Sequence, residues 1–210
     1  IKSGGTVVKN VTGYDLRKLM SGSYGTLVAL TEITFKVLPT YEENQTLIIH
    51  NHKIEAALDL LDKAVSSSND VSGAVYLPKD SKIPGCSMNI EKTFKLNDLK
   101  QEGSIIAIRI EGSKGSVKER VQNLIKDLYA ENFDISLLEL HQSQIFWNKI
   151  KSLEFFSLSK NSIIRIVIPP SECLKLTYLL SNRFKYYIDW GGSLMWIEAF
   201  ELTEKMFESI

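Results

Sequence analysis

Three glycines carry the first chemical signal. Gly13 lies in Thr12-Gly13-Tyr14-Asp15, and Gly22 and Gly25 lie in Gly22-Ser23-Tyr24-Gly25-Thr26. Between the two turns is a short segment of helical spacing. Glycine at such turns lets the backbone reach positive φ, or lets a ligand come close to bare amides. Taken alone, these are turn glycines of an ordinary kind. After them comes an apolar run, Leu27 to Val37, of strand-like residues stopped near Pro39. Backbone presented this way is shaped to hold something flat and anionic. The second signal is Arg165, set between Ile163, Ile164 and Ile166. A guanidinium on a half-buried strand can take a carboxylate through two parallel hydrogen bonds. The competing reading is an outward residue on the wet face of a sheet.

Other reactive residue types form no constellation. His50 and His52 have i, i+2 spacing, which places both on one strand face, but no acidic or histidine cluster joins them to complete a metal site. They read as exposed residues at a strand end. His141 between a strand and a helix is a bare candidate for a base. No Ser-His-Asp or Cys-His arrangement is present. Trp147, Trp190 and Trp196, with Phe155 and Phe156, read as packing before they read as a ligand pocket. Lys114, Lys118 and Arg120 read as a solvated helix face.

The stretch K-N-V-T-G-Y-D-L, then G-S-x-G-T-L, then T-E-I-x-x-K-V-L-P, resembles the closing motif of the FAD-binding domain of vanillyl-alcohol-oxidase-type flavoproteins. Within that family it is most similar to the FAD-binding subunits of bacterial glycolate oxidases. The likeness is dense over the first forty positions and continues more thinly at Phe146-Trp147, Ile164-Arg165-Ile166 and Asp189-Trp190-Gly191-Gly192 with Trp196. It implies FAD as cofactor, with Asn10, Gly13, Tyr14, Gly25, Thr26 and Leu27 as cofactor-binding positions and Arg165 as a substrate-binding one. Two positions depart from the family. Val28 stands where a second glycine is usual, and a β-branched side chain narrows the slot there. Met195 stands where relatives often carry an arginine.

Composition bounds the class. Lys plus Arg and Asp plus Glu number 25 each in 210 residues, so no net field attracts nucleic acid or an anionic membrane. Cys86 and Cys173 match no metal or redox spacing and fit a reducing compartment. No stretch approaches the roughly 18 apolar residues of a membrane span. These features lead us to expect a soluble, cytoplasmic protein.

The elements that must position these residues are read from periodicity. Asp15–Met20 predicts a short helix and 27–38 a strand; residues 41–45 are polar and acidic, a linker candidate. Beyond it, strands are predicted at Thr46–His50, Val71–Leu77, Ser104–Ile110 and 135–140. Helices are predicted at Lys53–Ser66 and Val117–Glu131, the second with a Ser116/Glu119 capping box. That order, β-α-β-β-α-β, is ferredoxin-like. A helix at 142–151, a strand at 163–168, a helix capped by Ser171, and two strands flanking Gly191-Gly192 complete it, with the helices on one face of the sheet. The predicted class is α+β. Residues 1–40 are the C-terminal segment of an FAD-binding domain, and 41–210 an antiparallel cap domain, which in relatives covers the flavin and helps build the substrate pocket.

The resemblance implies the C-terminal part of an FAD-dependent 2-hydroxy-acid oxidoreductase subunit of the glycolate/D-lactate type. The chain opens on Ile1 inside the motif. Most of the FAD domain, including its pyrophosphate-binding subdomain, is therefore expected upstream, outside these residues. The fragment alone is then expected to hold FAD poorly and to be inactive. Its expected partners are a second chain carrying the missing subdomain or other glycolate oxidase subunits, and a small hydroxy acid. Self-association through the apolar 27–37 surface is also expected. The competing hypothesis is a non-catalytic remnant or assembly module without flavin.

Overall fold

The computed structural model describes residues 3–9, 13–37, 39–79, 103–157, 159–180 and 184–199. The chain divides into two compact units, Ile1–Thr40 and Tyr41–Ile210.

In the first unit one helix, α1 (Leu16–Met20), lies between the two glycine-bearing turns and buries no residue. Asp15 before it pairs with Arg17 at 3.0 Å and Lys18 at 3.5 Å. The strand expected at 27–38 is not formed over its described residues. Its alternation is that of a strand, but it has no pairing partner among the described residues. Leu27, Leu30, Ile33, Phe35 and Val37 are all more than half exposed. A strand without a neighbour leaves its ladder groups to water, so pattern alone does not make one.

The second unit is a seven-stranded antiparallel sheet with helices on both faces. Its elements are β1 (Glu43–His50), α2 (Ile54–Val65), β2 (Val71–Leu77), β3 (Ile105–Gly112), α3 (Lys114–Asp127), β4 (Ile135–Leu138), α4 (Leu140–Lys151), β5 (Ser162–Val167), α5 (Pro170–Leu180), β6 (Lys185–Asp189) and β7 (Leu194–Ala199). The sheet order is β4-β1-β3-β2-β6-β7-β5. The first four strands in that order carry the ferredoxin-like β-α-β-β-α-β arrangement, and β6, β7 and β5 widen the sheet.

Each long helix repeats one spacing. Ala57, Leu60, Leu61 and Ala64 of α2, Val117, Val121 and Leu124 of α3, and Cys173, Leu176, Thr177 and Leu180 of α5 are the buried positions. The i, i+3/i+4, i+7 rhythm lays one apolar stripe along each helix. These three stripes close over one face of the sheet, against Leu47, Ile49, Ile106, Ile108 and Ile188. The helix α4 goes to the other face, where Phe146, Trp147 and Ile150 meet Ile48, Val75, Ala107 and the rings of Phe155, Phe156 and Tyr187. Helices on a single face were expected. The second layer forms because β3 is apolar at consecutive positions, Ile105 to Ile108, and both of its faces need cover.

Local starts also differ from expectation. The α3 helix begins at Lys114, after Ser113, so Ser116 lies inside it and accepts a hydrogen bond from Arg120 Nε at 3.0 Å instead of capping. Arg120 in turn pairs with Asp70 and donates to the Glu111 carbonyl, so it ties α3 to the sheet rather than lying on a solvated face. The α5 helix starts on Pro170, whose fixed φ and missing N–H suit a first turn, leaving Ser171 within the helix.

Candidate functional site

In the first unit the glycines serve the backbone. Gly13, Gly22 and Gly25 have φ of +77°, +82° and +76°, and a Cβ placed on any of them would meet nothing within 4 Å. Conformation, not crowding, calls for glycine here. Tyr24 and Gly25 take positive φ in succession, and the turn closes on the Ser23 carbonyl, which accepts the Thr26 N–H at 2.9 Å and the Thr26 hydroxyl at 2.7 Å. The amides of Gly25 and Leu27 have no protein acceptor among the described residues. Tyr14 and Tyr24 stand almost fully in solvent. The structure thus brings Gly25, Thr26 and Leu27 into one open turn and places Gly13 and Tyr14 at the entry to α1. Asn10 lies outside the described residues. Val28 is half-buried.

In the second unit Arg165 is exposed on β5, one edge of the sheet. Strand alternation puts it on the face that carries α4. Ile163, two residues earlier, packs into that layer, and Arg165 is in register with Trp196 of β7, which does the same. Trp196 is itself opposite Tyr187 of β6. The guanidinium carbon of Arg165 lies 5.2 Å from the ring centroid of Trp190, in the turn between β6 and β7.

Among the described strand residues two other cations share this face, and both are consumed. Arg109 on β3 pairs with Glu111 at 3.2 Å, donates from Nε to the Ser72 hydroxyl at 3.1 Å, and lies 4.7 Å from the Trp147 ring. Lys185 is buried, donates to the Phe155 carbonyl, and sits over the Phe155 and Phe156 rings. Arg165 makes no ion pair and no hydrogen bond to a described residue. Of the three, it is the one whose N–H fork is open to an incoming anion.

Around Arg109 the packing is close. Trp147 donates its indole N–H to Thr46 Oγ1 at 2.8 Å, and its ring lies against Gly73, where an added Cβ would come within 2.8 Å of it. Gly73 is needed for that approach. Asp189, at the end of β6, accepts the Trp190 backbone N–H at 2.8 Å. Burial pushes its carboxyl above the usual range, opposed by that hydrogen bond and by the charge of Arg109. Arg109 and the Arg165–Trp190 contact were not singled out from sequence, and Asp189 entered only within the Asp189-Trp190-Gly191-Gly192 likeness. Arg109 carries the same signal as Arg165, a cation inside the apolar alternation of Ile106, Ile108 and Ile110.

The remaining candidates resolve into structure. His50 is buried, not exposed, with Nε2 3.0 Å from the Ser136 hydroxyl, and desolvation lowers its pKa against the opposing pull of Asp134. Asn51, at φ +64°, ends the strand, so His52 leaves the alternation and packs edge-on to Phe133 at 4.5 Å. No group of three or more His, Cys, Asp or Glu among the described residues could hold a metal. Cys173 is buried and free, and burial raises its thiol to about 11. Met195 is fully buried in the three-helix layer, on the face of β7 opposite Trp196. Its departure from arginine therefore falls in the core and not at a substrate surface. No helix among the described residues is long and apolar enough to cross a membrane.

No protein-family model matches the chain. It is 29% identical over 201 residues to glycolate oxidase subunit GlcE of Escherichia coli, covering 95% of this chain and 45% of that protein. It is 42% identical over 48 residues to an uncharacterized FAD-linked oxidoreductase of Mycobacterium tuberculosis, covering 23% of this chain and 10% of the relative. The fold is similar to that of alkyldihydroxyacetonephosphate synthase, with a TM-score of 0.58 and 15% identity, over 90% of this chain and 42% of that one. The chain therefore spans less than half the length of the relatives it matches. The expected resemblance to glycolate oxidase subunits is borne out, as is the α+β fold.

Proposed function

We propose that the chain is part of an FAD-dependent 2-hydroxy-acid oxidoreductase of the glycolate oxidase kind. Residues 1–40 are the flavin-contacting end of its FAD-binding domain, and 41–210 its cap. The similarity to GlcE along 95% of the chain carries this reading, because it embraces both units and not the glycine turns alone. The open turn at Gly25–Leu27 fits close approach by a flat cofactor: the amides of Gly25 and Leu27 have no acceptor among the described residues and the space above Gly25 is clear. When bound, FAD would supply the acceptor for a hydride from the α-carbon of the substrate. The chain's own residues bind and orient. Gly13, Tyr14, Gly25, Thr26 and Leu27, with Asn10, contact the cofactor, and Arg165 takes the substrate carboxylate as a fork.

By itself the 210-residue stretch neither retains FAD nor turns over substrate, since it corresponds to 45% of its relative. Further glycolate oxidase subunits, or a segment supplying the rest of the FAD domain, complete the site. The test is a chimera in which this chain replaces the matching 201 residues of GlcE. Glycolate-dependent dye reduction is expected, falling about a hundredfold or more in kcat/KM for Arg165→Ala, as for loss of a charged contact. A chimera that binds flavin yet oxidises neither glycolate nor D-lactate would overturn the reading. One observation favours a second role, as an assembly module: Leu27, Leu30, Ile33, Phe35 and Val37 form an exposed apolar run of the sort that marks a contact surface.

A further inference from the structure

We infer that Trp190 is a positioning residue for Arg165, holding its guanidinium flat so that the N–H edge faces an incoming carboxylate. The inference rests on the assignment of Arg165 to the substrate carboxylate and adds the device that aims it.

Trp190 is an unusual residue to find where it is. Its φ is +52°, in the left-handed region that a bulky side chain rarely enters, and the residue is 58% exposed. A strained backbone is expected where the surroundings over-determine it, and here they do. The half-buried Asp189 carboxylate accepts the Trp190 N–H at 2.8 Å, and the Trp190 carbonyl accepts the Ser193 N–H at 3.3 Å. Gly191, at φ +62°, lies so close to α2 that a Cβ would come within 2.8 Å of Val65 Cγ2. The turn is thus fixed by β6 on one side and α2 on the other. Strain held this firmly brings the ring no burial. The group the ring does meet is Arg165, 5.2 Å away.

The electrostatics agree with this placement. A guanidinium lying over an aromatic face keeps its in-plane donors free, since the ring engages only the flat side. Asp189, which leads into the turn, is engaged by the Trp190 N–H and makes no ion pair with Arg165. Arg109 is paired with Glu111. The positive charge of Arg165 is therefore left for a ligand, on a side chain whose flexibility the ring has already reduced. Restricting a long side chain before binding lowers the entropy lost on binding.

The experiment is side-chain NMR on the 210-residue chain, observing the Arg165 Nε–H with and without D-lactate. Trp190→Gly removes the ring and relieves the left-handed backbone at once, so the fold is kept; Trp190→Phe restores an aromatic face. Without ligand, the Arg165 Nε–H should be ordered on the nanosecond timescale in the wild type and in Trp190→Phe, and mobile in Trp190→Gly. Equal order in wild type and Trp190→Gly overturns the positioning role. With D-lactate, Trp190→Gly should weaken affinity about threefold to fivefold, and Arg165→Ala should abolish it. If Arg165→Ala leaves D-lactate affinity unchanged, or D-lactate fails to shift the wild-type Arg165 signal, the carboxylate assignment fails. The ligand-free order still decides the role of Trp190.

Discussion

The two units use apolar residues in opposite ways. Among the described residues of 41–199 most large apolar side chains have a place in one of two layers. Ile105 to Ile108 are enclosed on both sides of the sheet, and four helices supply stripes of matching rhythm. In residues 3–37 the same residue types, Leu27, Leu30, Ile33, Phe35 and Val37, stand in solvent, and the helix α1 buries nothing. Apolar content does not separate the two; the presence of partners does. A strand pattern becomes a strand only when a neighbour takes its hydrogen bonds and a layer takes its side chains. The difference also divides the proposed labour. The packed unit can present Arg165 on a rigid sheet, whereas the open unit offers turn backbone that needs further protein around it.

Mutations should separate the units by size of effect. Phe146→Ala, deleting a fully buried ring of the α4 layer, should cost about 3–5 kcal/mol by chemical denaturation. Gly73→Ala drives a methyl into the Trp147 ring, and an overpacked site of this kind costs about 1–3 kcal/mol. A near-neutral Gly73→Ala would mean that the α4 layer is looser than its contacts imply.

The histidines give a pH signature confined to the packed unit. Desolvation lowers His50 and His52 below their ordinary 6.5. The unfolded chain then binds the extra protons between the lowered value and 6.5. Stability is full above pH 6.5 and declines as pH falls below it. His50→Gln, which keeps a partner for Ser136, should flatten part of that decline in pH-dependent melts; an unchanged slope would show that His50 does not set it. Smallest of all, Phe35→Ser in the open unit should alter stability by no more than about 0.5 kcal/mol. A larger loss would show that the 27–37 run is buried in solution and would break the contrast between the units.

The sheet was legible because its periodicities are strong. The ferredoxin-like order came from alternation in β1 to β4 and from the helical rhythm of α2 and α3. The second layer was not legible, since Phe146, Trp147 and Ile150 announce a helix with one apolar stripe without saying which face it seeks. The run 27–37 misled for the converse reason: alternation was present, and no described residue pairs with it as a strand. At the site, Arg165 could be found as a cation among isoleucines. Its difference from Arg109 lies in the Glu111 and Ser72 partnership of the latter, which depends on register across strands. The left-handed Trp190 was hidden as well, because a tryptophan before two glycines carries no sign of its own φ.

The most direct test of the proposed division is the visible absorbance spectrum of the purified 210-residue chain, taken after incubation with FAD and desalting. The expected result is no retained flavin band and no reduction of dye by glycolate or D-lactate. A shifted flavin band that survives desalting, with dye reduction, would contradict the division, showing that these 210 residues need no further protein to hold and use flavin.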